Sequence, residues 1–208
     1  MRRFVFNFTH VYELPFGRNH KYANSVSRPV DYLIGGWQLS GIWLYQSGIP
    51  FTPSYTDCGR DVDTGPCRPN LVGDASASDP NRNAWFTTAP AGTSGTGCVA
   101  TAAATPQLNA NGCTRGPWSR PAPGTFGNVT RNSFFGPHHF NADASLNKNF
   151  QISERWKGQF RAELFNAFNH VNLGQPTATV DSATAGKIFG IATLSQMRKW
   201  QFGLRVSF

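Results

Sequence analysis

The chain has 208 residues and a formal net charge of +8, from 19 Lys and Arg against 11 Asp and Glu. Only 14% of its residues are charged, well below the roughly 25% of an ordinary soluble domain, while 17 Phe, 6 Trp and 5 Tyr make it rich in aromatics. No apolar run of about 18 residues occurs, which excludes a membrane-spanning helix; the cations are scattered and form no basic cluster, which argues against a nucleic-acid interface despite the basic balance.

Arg2 and Arg3 precede the apolar stretch FVFNF, but Asn7, His10 and Glu13 interrupt it and no small-residue cleavage site follows. It therefore does not read as a signal peptide, and the rest of the sequence points to a segment of a longer protein. Residues 3–13, RFVFNFTHVYE, alternate: Phe4, Phe6, Phe8, His10 and Tyr12 on one side, Arg3, Val5, Asn7, Thr9, Val11 and Glu13 on the other. A period of two is a strand, here with an aromatic face. Leu14-Pro15-Phe16-Gly17 breaks it, and a polar connection follows to Asp31.

Residues 35–47, GGWQLSGIWLYQS, alternate again, with Trp37, Leu39, Gly41, Trp43 and Tyr45 against Gln38, Ser40, Ile42, Leu44 and Gln46. The second set is mixed, so the facing of this strand stays open. Gly48-Ile49-Pro50-Phe51-Thr52-Pro53 ends it. Residues 54–137 then look irregular, and they hold all four cysteines, most of the prolines and the run ATAAAT. Such a length is uncommon inside a compact soluble domain and normal for an outer loop of an outer-membrane barrel.

Residues 140–152, FNADASLNKNFQI, put Phe140, Ala142, Ala144, Leu146, Phe150 and Ile152 on one face. Lys148 interrupts that face, and near a membrane boundary its stem would snorkel. Asn141, Asp143, Ser145, Asn147, Asn149 and Gln151 make the other face wholly polar, as a water-filled lumen requires. A short turn at Ser153-Glu154-Arg155 leads to 157–169, where Phe160, Ala162, Leu164 and Phe168 oppose Lys157, Gln159, Arg161 and Glu163. After a polar connection over 171–196, residues 198–208 alternate without a break. Trp200, Phe202, Leu204, Val206 and Phe208 share one face, and Lys199, Gln201, Gly203, Arg205 and Ser207 the other. This matches the roughly 9–11 residues of a tilted membrane-spanning strand.

The predicted fold is all-β: an antiparallel meander of about five strands, with 3–13 and 198–208 at its edges, forming a carboxy-terminal fragment of a transmembrane β-barrel. Five strands cannot close a barrel, for which about eight is the small limit. With Phe208 at the periplasmic end, alternation of direction puts the long loops 54–137 and 171–196 outside. It also puts 14–35 on the periplasmic side, where connections are normally short.

With those strands in place, the chain resembles the carboxy-terminal part of an Oar-like TonB-dependent outer-membrane receptor. The resemblance rests on YELPFGR at 12–18, GGWQLSGIW at 35–43, QSGIPFTP at 46–53, GNVTRNSFFGP at 127–137, FRAELFNAFNHVNLGQP at 160–176 and the terminal RKWQFGLRVSF. These stand in the family's order and cover most of the chain outside the cysteine-bearing loop. The resemblance implies a large barrel of 22 strands around an amino-terminal plug. The plug, the TonB-contacting box and the carboxypeptidase-regulatory-like domain have no counterpart here. It further implies that residues 1–208 are a barrel segment in the outer membrane of a Gram-negative-type bacterium. The implied partners are lipid, the remainder of the barrel with its plug, the TonB energising complex and the barrel-assembly machinery. That machinery would read the row Trp200, Phe202, Leu204, Val206 and Phe208.

Cys58-x8-Cys67 and Cys98-x14-Cys113 fit no short zinc pair. In an outer loop disulfides persist, and the preferred pairs are Cys58–Cys67 and Cys98–Cys113; four cysteines permit three connectivities, and free thiols in a reducing compartment are the alternative. His138 and His139 would point to opposite faces of a strand and so not share a metal. Asp57, Asp61 and Asp63 lack the glycine and glutamate of an EF-hand loop. Glu163 sits mid-strand on the polar face with Arg161, expected as a lumen charge paired with a neighbouring strand at Arg205. No nucleophile elbow, P-loop or HExxH occurs; no catalytic residue, metal ligand or cofactor is assigned, and no enzyme activity is expected. The expected function is a structural part of a TonB-dependent receptor barrel for uptake or export of an unidentified ligand. The alternative is a secreted β-rich adhesion or binding module, which would bury its apolar faces against each other.

Overall fold

The computed structural model describes residues 2–18, 20–55, 67–88, 114–121, 125–151, 153–193 and 195–208. They fall into two compact units. A sheet unit comprises Phe4–Gln46, His139–Asn172 and Leu194–Phe208; a loop unit comprises Met1–Arg3, Ser47–His138 and Leu173–Thr193.

The sheet unit is the predicted meander. Strands β1 (Val5–Glu13), β2 (Trp37–Gln46), β3 (His139–Gln151), β4 (Lys157–Phe165) and β5 (Lys199–Ser207) pair antiparallel in chain order. Among the described residues the outer edges of β1 and β5 have no strand partner. β4 stops earlier than its alternation suggests, because Asn166 and Asn169 adopt left-handed backbone (φ 48° and 51°) and turn the chain.

The register fixes which residues share a face, since residues directly opposite each other point the same way. One row runs Tyr12, Leu39, Leu146, Ala162, Phe202; the next runs Trp37, Lys148, Phe160, Leu204. The open question about β2 is thereby answered: Trp37, Leu39, Trp43 and Tyr45 belong to the apolar face. Two of its small residues make room for rings. His10 lies over Gly41 and Phe150 over Gly158, and a Cβ at either glycine would collide with the ring. The opposite face carries rows such as Glu13, Gln38, Asn147, Arg161, Gly203. It is polar along β3 and along β4 as far as Glu163, with Phe165 apolar at the end of β4; Val5, Val11, Ile42 and Leu44 make it mixed on β1 and β2.

The connection between β1 and β2 holds a feature that no long periodicity announces, a short helix α1 (Arg28–Ile34). Pro29 presets the first turn, and the Gly35 N–H closes on the Asp31 carbonyl at 2.8 Å. The Asp31 carboxylate accepts the Arg18 N–H at 2.7 Å. At the other end, Trp37 Nε1 and Lys148 Nζ donate to the Leu33 carbonyl at 2.9 and 3.3 Å, and Lys148 donates to the Gly35 carbonyl at 2.6 Å. Lys148 thus caps a helix C-terminus, where cations are favoured, with its ammonium 4.7 Å from the Trp37 ring centre. Its stem runs along the sheet and its ammonium meets these carbonyls at a partly exposed position.

The loop unit corrects the reading of 54–137 as irregular. Pro50–Phe51 pairs with Phe134–Phe135, Asn70–Leu71 and Thr114–Arg115 flank Trp118–Ser119, and Ser76–Asn81 pairs with Ala84–Phe86. These ladders surround a core in which Trp118 and Val180 are fully buried with Tyr55, Ala75, Phe86 and Val129, and Phe51 and Phe134 pack alongside. The rings interlock: Trp118 lies 5.4 Å from Phe134 and 5.7 Å edge-on from Phe86. Segment 173–193 completes the unit, with the Val180 N–H on the Ser54 carbonyl at 2.8 Å and Arg82 Nε on the Ile188 carbonyl at 3.0 Å. Core residues this far apart in sequence leave no local period to detect.

Trp118 also donates its indole N–H to the Thr87 carbonyl at 2.8 Å. Trp118→Ala should destabilise the loop unit by about 3–5 kcal/mol, the usual cost of emptying a buried tryptophan site. Limited proteolysis of the membrane-inserted protein should then show new cuts within 47–138 and 173–193 and none in the strands. New cuts in the strands as well would contradict two separately packed units.

Candidate functional site

The functional surface is the apolar face of the sheet, and its composition changes with height. Toward the end where β2 leads into 47–138, rings cluster: Phe8 stacks on His10 at 5.6 Å, and Trp43 meets Phe168 at 5.4 Å and Phe140 at 6.4 Å. Toward the other end lie Trp37, Phe150 and a Trp156–Phe208 pair at 5.2 Å. Leu39, Leu146 and Ala162 share the row between with Tyr12 and Phe202, and Phe160 and Leu204 stand in the row of Trp37. From Phe140 to Phe150 β3 advances ten residues, about 33 Å of strand. At a tilt of about 35–45° this is a band about 23–27 Å tall, against about 25 Å for the apolar belt of an outer-membrane barrel. The predicted terminal row is exposed throughout, from 47% at Val206 to 93% at Phe208.

On the polar face, the register brings Arg161, Glu163 and Arg205 to the same side. Glu163 does not pair with Arg205 as expected. It accepts from Arg161 Nη1, two residues along its own strand, at 3.4 Å. Across the ladder Glu163 faces Gln201, and Arg205 faces Gln159 two rows away. A half-exposed pair at this distance contributes little stability.

An asparagine-rich turn, unforeseen as a site, closes the top of the sheet. Asn166 is buried; its backbone N–H donates to the Asp143 carboxylate at 2.9 Å and its side-chain amide to the His170 and Gln196 carbonyls at 3.1 and 2.7 Å. Asn172, also buried, receives the Phe140 N–H at 2.7 Å and donates to the Phe140 carbonyl at 2.9 Å. One side-chain amide thereby does the work of a neighbouring strand at Phe140. The signal is the spacing of Asn166, Asn169 and Asn172, which fits no strand period, and Asn166 and Asn169 take left-handed turn positions.

The remaining candidates are dispersed. His139 is buried and His138 exposed. Among the described residues no group of three or more His, Cys, Asp or Glu is placed to hold a metal. Cys67 is disulfide-bonded, while Cys58, Cys98 and Cys113, like Asp57, Asp61 and Asp63, lie outside the described residues. In the loop unit Asp74 accepts the Ser76 N–H at 2.8 Å, and this backbone hydrogen bond holds its carboxyl below the usual carboxylate range.

Over residues 1–201 the chain matches the family model described as the outer membrane beta barrel domain. The chain belongs to that family. It is an outer-membrane protein, and its five-stranded sheet is part of a β-barrel. No curated protein and no solved structure matches it. Membership of the barrel family explains why the exposed apolar rows coincide with a membrane thickness.

Asn172→Leu would leave the Phe140 N–H and carbonyl without partners at a buried position, at about 1–3 kcal/mol for each group. The expected outcome is a lower denaturation midpoint and fast amide exchange at Phe140. Unchanged protection of that amide would show that Asn172 is not what satisfies it.

Proposed function

We propose that the chain forms the carboxy-terminal part of the barrel of an Oar-like TonB-dependent receptor, which moves an unidentified ligand across the outer membrane. The observation that carries this reading is the apolar band of membrane height with aromatic rings at both ends, on a sheet whose other face is mainly polar. The ordered motifs from YELPFGR to RKWQFGLRVSF supply the finer assignment. In this reading the apolar face meets outer-membrane lipid, and Arg161, Glu163 and Arg205 face the lumen. The free edges of β1 and β5 pair with the remainder of the barrel, around its plug.

Alternation of strand direction sends the connections after β2 and β4 to one end of the sheet and those after β1 and β3 to the other. The first pair is external and the second periplasmic, because the turn after β3 is the short one. External loops favour the pairings Cys58–Cys67 and Cys98–Cys113. The role is structural and transporting rather than enzymatic. Energy comes from the TonB complex acting on the plug.

The full-length protein, solubilised from outer membranes, should bind the purified periplasmic domain of TonB. A folded, inserted barrel that fails to bind it would sink the TonB-dependent assignment while leaving the barrel. The barrel-assembly machinery recognises β5, whose exposed edge offers backbone hydrogen bonds and whose alternate side chains offer specificity. Phe208→Asp in the full-length protein should therefore give poor insertion and periplasmic degradation. If the variant reaches the membrane at wild-type level and rate, Phe208 serves only the aromatic girdle.

A further inference from the structure

The connection from β1 to β2 is anomalous for its position. It leaves the same end of the sheet as the turn between β3 and β4, which needs only residues 152–156, yet it runs from residue 14 to residue 36. Its extra length builds α1 and a preceding turn; the helix is tied to the apolar face, and the turn is tied to the helix through the Arg18 N–H and the Asp31 carboxylate. The Leu33 carbonyl accepts from Trp37 Nε1 and from Lys148 Nζ, and both side chains belong to one apolar row. A seven-residue helix is too short to persist alone in water, so these bonds hold it against the edge of that face.

What the tied element presents outward is apolar. Val30, Tyr32 and Leu33 are 41%, 50% and 73% exposed. Phe16 and Tyr22, an exposed ring pair at 5.8 Å, stand in the turn before the helix. Around them the exposed charges are mostly positive: Arg18, Lys21 and Arg28. A cleft of about 570 Å³ opens beside the helix, lined by Arg18, His20, Arg28 and Asn149, with Asp31 and Glu154 the acidic members. The Asp31 carboxylate is already engaged by the Arg18 N–H. Exposed apolar side chains interleaved with cations, continuous with a lipid-facing band, are the chemistry of an element that lies in a membrane interface.

We propose that α1 and the turn before it form an interfacial anchor. Val30, Leu33, Phe16 and Tyr22 enter the upper acyl region of the phospholipid leaflet at the short-turn end of the barrel. Arg18, Lys21 and Arg28 hold its phosphate headgroups, those on the cleft receiving one between Arg18 and Arg28. The inference rests on the reading of the apolar face as the lipid face. It accounts for a long connection where short turns are the rule: the segment extends the membrane contact beyond the ends of β2 and β3.

The test is collisional accessibility of spin labels on the full-length protein in vesicles of phosphatidylethanolamine and phosphatidylglycerol, once the parent chain is shown to take up no label. Labels are placed by Leu33→Cys and, as a control for the sheet, by Leu204→Cys. Both labels should collide several-fold more readily with oxygen than with a water-soluble nickel chelate, with Leu33 shallower than Leu204. If Leu204 reports lipid and Leu33 reports water, the anchor is wrong and the lipid-facing sheet stands. If Leu33 is shielded from both agents, protein covers the helix, and the proposal also fails. If Leu204 itself reports water, the underlying reading of the sheet is what fails. Lys21→Glu with Arg28→Glu should move the Leu33 label several-fold toward water in vesicles containing phosphatidylglycerol. An unmoved label would overturn the headgroup contacts.

Discussion

Backbone hydrogen bonding is the constraint on which the rest of this structure depends. Inside a bilayer there is no water to pair an N–H or a carbonyl, and each unpaired group costs several kcal/mol. The five-stranded ladder meets that requirement across β2 and β4, each paired on both sides over most of its length, and across β3, which has both neighbours from Ala144 to Lys148 and one of them elsewhere. Where the ladder runs out, side chains replace it. At the β3–β4 seam, strand pairing begins only at Ala144 opposite Leu164, and the Asn172 amide serves the Phe140 backbone beyond that point. At the opposite end, Lys148 and Trp37 occupy the carbonyls that end α1. The same demand thus selects an asparagine at one end and a lysine–tryptophan pair at the other.

Side-chain burial follows a different rule in each unit. Of the buried apolar residues among those described, Ala142 alone belongs to the sheet; Tyr55, Ala75, Phe86, Trp118, Val129, Val180, Ala185 and Ile188 all belong to the loop unit. The loop unit removes apolar surface from water in the usual way, by packing it against itself. The sheet leaves Phe6, Trp200, Phe202 and Leu204 uncovered. An apolar patch of that extent is not tolerated on a soluble monomer, and a barrel has lipid to cover it.

This difference decides what was legible in the sequence. The strands could be read because their pattern is local: with one face toward lipid and one toward water, every second residue changes character, and β5 shows that from Trp200 to Ser207. β2 is ambiguous because Ile42 and Leu44 put apolar residues on the face opposite Trp37, Leu39, Trp43 and Tyr45, and only its pairing with β1 and β3 decides its facing. The loop core was illegible because Phe51, Phe86, Trp118 and Phe134 come together without periodicity. The pairing of Glu163 is not legible in its own strand, because a choice between a neighbour two residues away and a cross-strand cation depends on register. α1 is not legible because seven residues with a proline at the start carry too little period.

Lys148 joins the sheet to the helix. Taken alone, a lysine on an apolar face looks like an error of facing or a side chain bound for water. Its row contains Trp37, Phe160 and Leu204, so its facing is correct. Its ammonium is occupied by the Leu33 and Gly35 carbonyls and sits near the Trp37 ring. Carbonyls at a helix C-terminus carry partial negative charge and lack internal partners. They can therefore take over the role of water for a cation that the sheet points toward lipid, while the cation satisfies backbone groups that the helix leaves open. A leucine at this position would suit the row and abandon the helix end; a lysine without the helix would sit unpaired on an apolar face. The long connection and the misplaced charge are each costly alone, and together they cancel.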